Sequence, residues 1–107
     1  MLNIKNKDFT FYKYEKLIKS IIDSNYPIYT VYNWIIKKPK YGIIIRHDVD
    51  RWAKNSLNIA ELEQKYGIST TYYFRKTKGS FKPNIIKEIA NMGHEIGYHY
   101  EDLSLAK

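Results

Sequence analysis

A chain of 107 residues, 44% hydrophobic and 27% charged, has room for one small domain with a modest core, and this balance is that of a globular protein rather than a disordered one. It contains no cysteine, which excludes disulfide staples, thiolate nucleophiles and cysteine-type zinc sites. The net charge of +7 comes from 18 Lys and Arg spread along the chain rather than gathered in a block, so nucleic acid is not expected as a partner.

No apolar run approaches the ~20 residues of a membrane span, and Met1-Leu2-Asn3-Ile4-Lys5 lacks the apolar segment of a secretory signal. No membrane partner is expected, and the cytoplasm is the expected compartment.

From Thr10 to Asn25 the residues Tyr14, Leu17, Ile18, Ile21 and Ile22 form one apolar helical stripe, with Lys13, Lys16 and Lys19 on the wet side. Asn25-Tyr26-Pro27 ends this helix. A short extended piece at Ile28-Tyr29-Thr30 and a helical turn over Val31 to Ile36 precede the solvated loop Lys37-Lys38-Pro39-Lys40. Residues 1–40 thus read as a helical extension packing on a domain that occupies residues 41–107.

Gly42-Ile43-Ile44-Ile45 is a continuous β-branched run, the pattern of a strand buried on both faces in a parallel sheet. Trp52 to Tyr66 reads as a helix carrying Ala53, Leu57 and Ala60 on one stripe, with Ile59, Leu62 and Tyr66 beside it and Gly67 as C-cap. Ile68 to Phe74 reads as a second strand, rich in Thr and Tyr. A helix follows with Pro83 in its first turn, Ile85, Ile86, Ile89 and Ala90 on its buried face, and Gly93 as C-cap. His94 to Tyr98 is the third strand. Strands about 25 residues apart with a helix between them make βαβ units, whose right-handed crossovers imply parallel strands.

In parallel α/β folds ligands bind at the carboxyl ends of the strands. Those ends are Arg46-His47-Asp48-Val49-Asp50, Phe74-Arg75 and Tyr98-His99-Tyr100-Glu101, so the polar chemistry collects on one rim. Asp48 and Asp50 are two apart and project to one side in extended geometry, where a cation or a shared proton must relieve their repulsion, and a divalent metal does so while giving each a task. Asp50 could equally N-cap the helix beginning near Trp52; Asp48 has no such cap to make. His99, across the rim, is a candidate metal ligand, and Glu101 shares its side. His47 and His94 read as a partner behind the site and a polar residue entering a strand. In a chain that favours Lys, the rigid forks of Arg46, Arg51 and Arg75 stand out, with Arg46 or Arg75 as an orienting group for Asp48, a substrate contact or an ordinary ion pair.

Arg46-His47-Asp48-Val49-Asp50 and Gly93-His94-Glu95-Ile96-Gly97-Tyr98-His99 resemble the first two motifs of the polysaccharide deacetylase family, the carbohydrate esterases with the NodB homology domain. The resemblance spans about Tyr41 to Lys107. It implies a distorted seven-stranded β/α barrel of the glycoside hydrolase and deacetylase type, of which this chain would hold the N-terminal part. It maps the catalytic base onto Asp48 and metal ligands onto Asp50 and His99. It further implies a divalent metal, zinc above all, and an N-acetylated sugar or polysaccharide as substrate. The family's second histidine ligand falls at Leu103, so Glu101, Asp102 or a residue elsewhere would have to complete the set. Leu103 also keeps open a non-catalytic relative that binds carbohydrate or metal without turnover. The expected reading is an incomplete barrel, with part of an active site in this chain.

Overall fold

A computed structural model describes residues 2–4, 11–49, 53–77 and 80–98. The element order is β1 (Leu2–Ile4), α1 (Phe11–Asp23), β2 (Ile28–Tyr29), α2 (Val31–Lys37), β3 (Ile43–Val49), α3 (Ala53–Lys65), β4 (Thr71–Phe74), α4 (Pro83–Asn91) and β5 (Glu95–Tyr98).

α1 forms because Tyr14, Ile18 and Ile21 recur at helical spacing and are buried, while Lys13, Lys16 and Lys19 remain exposed. It ends at Asp23, and two residues on Asn25 adopts a left-handed φ of 63° ahead of Pro27. α2 is one residue longer than its pattern predicts. Thr30 caps it by accepting the Asn33 N–H on its hydroxyl at 3.2 Å. α2 buries none of its own residues, leaving Tyr32, Ile35 and Ile36 exposed.

β3 runs further than its apolar run predicts, through Val49 instead of ending at Ile45. It continues because a strand alternates faces: Ile45, His47 and Val49 are buried towards the helices, and Arg46 and Asp48 project to the opposite, inner face. Asp48 therefore lies within the strand. β4 is shorter than the predicted Ile68–Phe74, since Ile68 and Thr70 belong to the approach from Gly67. On α4 only Ile86 and Ile89 are buried; Ala90 faces solvent.

All described strand pairs are parallel, in the order β1-β3-β4-β5 with β2 also pairing with β3. The four strands on this path curl into half a barrel. Residues 1–40 contribute β1, registered from Leu2↔Ile45 to Ile4↔His47, and β2, registered Ile28↔Ile43 and Tyr29↔Ile44, as well as α1 and α2. Two buried clusters fill the space between sheet and helices. One gathers Tyr14, Ile18, Ile21, Ile45, Leu62 and Ile68, and the other Val49, Ala60, Tyr72, Phe74, Ile86 and Ile89. Among the described residues no helix is long and apolar enough to cross a membrane.

α2 meets the inner face at the amino ends of β4 and β5. The Val31 N–H donates to Thr71 Oγ1 at 2.9 Å, and the Tyr32 N–H donates to the Glu95 carboxylate at 3.0 Å. A carboxylate at the first turn satisfies open helix N–H groups and complements the helix dipole.

Candidate functional site

The inner face near the carboxyl ends of the strands is built on a single rung, Asp48↔Tyr73↔Gly97. Arg46, two residues before Asp48 on β3, donates from Nε to Asp48 Oδ1 at 2.8 Å. The pair is partly exposed, with side-chain exposures of 30% and 17%, so it is open to a ligand. The Arg46 guanidinium lies 4.4 Å from the Tyr73 ring centroid, in cation–π contact. Burial raises the Tyr73 hydroxyl above its ordinary pKa; Arg46 opposes this, and the Glu95 and Asp48 carboxylates reinforce it.

Gly97 is where the ring finds its room. A Cβ there would stand 2.5 Å from Tyr73 Cε1, inside contact distance. Gly97→Ala is therefore expected to drive the Tyr73 ring off Arg46. The ring is partly exposed and can swing outward, so the stability cost should sit near the lower end of the ~1–3 kcal/mol of overpacking. Urea unfolding measures the cost, and loss of Tyr73 ring to Arg46 nuclear Overhauser contacts reports the displacement.

The rim above this rung is pinned by Ser80. Its hydroxyl donates to the Val49 carbonyl at 2.5 Å and accepts the Arg75 N–H at 3.0 Å, tying the exit of β3 to that of β4. Val49 and Tyr98 both register on Phe74, and in sequence Asp50 follows Val49 and His99 follows Tyr98. Asp50, Arg51, His99, Glu101, Asp102 and Leu103 lie outside the described residues. Of the predicted site residues the structure brings together Asp48 and Arg46, and it places the partly buried Arg75 just past β4. Among the described residues no group of three or more His, Cys, Asp and Glu could hold a metal ion.

Beneath the sheet lies a polar centre that sequence reasoning missed. Glu63 on α3 is wholly buried. Its carboxylate accepts hydrogen bonds from the hydroxyls of Tyr14, Tyr72 and Thr70 and from His47 Nε2, the last two at 2.9 and 2.7 Å. Burial alone would raise its pKa; the His47 charge and the bonds from His47, Tyr14 and Tyr72 outweigh this and hold it below the ordinary carboxylate value. His47 stacks on Tyr72 with centroids 4.4 Å apart and meets the Tyr14 ring edge-on. His94 accepts the Thr70 N–H on Nδ1 at 3.1 Å and donates from Nε2 to the Ala60 carbonyl at 3.0 Å, which fixes its tautomer. The missed signal was the stripe Ala53, Ser56, Ala60, Glu63, at helical spacing and buried throughout.

Comparison with known proteins adds no relative: no family model, no curated protein and no solved structure matches the chain.

Proposed function

We propose that this chain carries the first part of a metal-dependent deacetylase of the polysaccharide deacetylase type, hydrolysing the acetamide of an N-acetylated sugar within a seven-stranded β/α barrel. The observation that supports the reading best is the Arg46–Asp48 pair at the carboxyl end of β3, partly open to a ligand, with the motif residues Asp50 and His99 following Val49 and Tyr98 in sequence.

Asp48 is the general base and takes the proton of the attacking water. The rigid Arg46 fork holds the Asp48 carboxylate in one orientation, and the Tyr73 face holds the fork. Asp50 and His99 would bind the metal, with Glu101 or Asp102 as third ligand where Leu103 stands in place of a histidine; carboxylate with imidazole suits zinc. When bound, the metal supplies Lewis-acid polarisation of the acetyl carbonyl.

Zinc titration by calorimetry, paired with an acetate-release assay on N-acetylated oligosaccharides, both on the protein with its barrel complete, tests the proposal. Saturable binding that falls at least about tenfold in Asp50→Ala and in His99→Ala is expected, in line with losing one member of a small ligand set. Binding that ignores both substitutions removes the metal site. Zinc binding without acetate release leaves a non-catalytic relative, the reading that Leu103 favours.

A further inference from the structure

A carboxylate this deeply buried is tolerated only when rigid donors surround it, because each unmet group costs free energy and the charge costs more. The donors to Glu63 come from α1, β3, β4 and the residue just before β4. Two of them, His47 and Tyr72, form a single rung, since His47 registers on Tyr72. The next rung of the same two strands is Asp48↔Tyr73, and strand alternation puts it on the opposite face. One carboxylate thus grips β3 and β4 from below at the rung adjoining the one that carries Asp48, the Tyr73 ring and the Arg46 fork above.

His47 also sits in sequence between the two members of the ion pair, Arg46 and Asp48. Its ring is held in place by Glu63 on Nε2 and by the Tyr72 face. Any slip or rotation of the β3 backbone at His47 would move Arg46 and Asp48 together relative to Tyr73.

We propose that Glu63 is a positioning residue for Asp48, acting through the His47↔Tyr72 rung to set the Arg46–Asp48 pair; its catalytic meaning rests on the reading of Asp48 as base. Glu63 touches no substrate, and its role is to fix where the base points.

The test follows the Arg46 Nε–H resonance by nitrogen-15 NMR in the whole chain, under conditions where every variant is folded. In Glu63→Gln, exchange of this proton with water is expected to accelerate about tenfold, as when a charge-assisted hydrogen bond weakens. In the acetate-release assay kcat falls while KM holds. Tyr14→Phe removes a donor to Glu63 but leaves the His47↔Tyr72 rung, so it should lower stability without moving the Arg46 resonance.

Unchanged exchange in a folded Glu63→Gln overturns the proposal, and so does equal acceleration in Tyr14→Phe, which would mark a general loosening. If Glu63→Gln does not fold, Tyr72→Phe decides by the same resonance: faster exchange supports the coupling and unchanged exchange overturns it. A wild-type protein with its barrel complete that releases no acetate refutes the deacetylase reading alone, and the Arg46 resonance still decides the coupling.

Discussion

Glu63→Ala is expected to remove about 3–5 kcal/mol of stability, the cost of breaking a buried charged network by deleting one partner. The deletion strands the hydroxyls of Tyr14, Tyr72 and Thr70 and the Nε2–H of His47 in a space where water does not reach. It also leaves a void between α3 and the sheet. Domains of this size hold only ~5–15 kcal/mol in total, so the loss is a large fraction. At roughly 4–8 °C per kcal/mol, Tm should fall by more than about 10 °C. Thermal and urea unfolding at neutral pH measure it; a change below about 1 kcal/mol would mean the network adds little.

The same network shapes the pH dependence. Because the folded-state pKa of Glu63 lies below its ordinary 4.5, its contribution is present above about pH 4.5 and is lost as pH falls through the folded value. Tyr14 and Tyr72 act at the other end. Burial first, then the Glu63 charge and the hydrogen bonds to it, raise both hydroxyls above the ordinary 10.0. Their contribution is intact below pH 10 and is lost above it as pH rises towards the folded values. Unfolding free energy against pH should show both limbs in the wild type, and the acid limb should flatten in Glu63→Ala.

These groups mark where sequence and structure part company. The helices were legible because their apolar stripes repeat with the helical period, and the cores do gather Ile18, Ile21, Leu62, Ile86 and Ile89. The parallel arrangement followed from strand spacing alone and holds for every described pair. β3 was cut short because Arg46-His47-Asp48 breaks the apolar run. What keeps His47 in the strand's buried row is a carboxylate sixteen positions away, and no local pattern reports it. Glu63 was invisible for the complementary reason: a charged residue on an amphipathic helix reads as solvated, and only its place among Ala53, Ser56 and Ala60 betrays it. β1, three residues long, is too short to carry a period. At the candidate site Asp48 was singled out by its position at a strand end, and its reading as a base came from the family resemblance. The ring of Tyr73 and the space at Gly97 that admits it are cross-strand relations, fixed only once β4 and β5 are in register.

Asp48→Asn is expected to lower kcat for acetate release by about 10²–10⁴-fold, the contribution of a positioned general base. The substitution is nearly isosteric, and an Asn carbonyl oxygen can still accept the Arg46 Nε–H that reaches Oδ1 at 2.8 Å. The fold and the Tyr73–Arg46 stack should survive, so unfolding free energy should change by less than about 1 kcal/mol, as for substitutions outside the core. What the amide lacks is a basic oxygen able to take a proton. If Asp48 served only as a strut for Arg46, the variant would keep most of its rate, because the strut is retained. If it were chiefly a substrate contact, KM would rise with kcat unchanged. A fall in kcat with KM and stability held is the outcome expected of a proton acceptor and not of a strut or a substrate contact, and acetate release at the wild-type rate from Asp48→Asn removes Asp48 from that role.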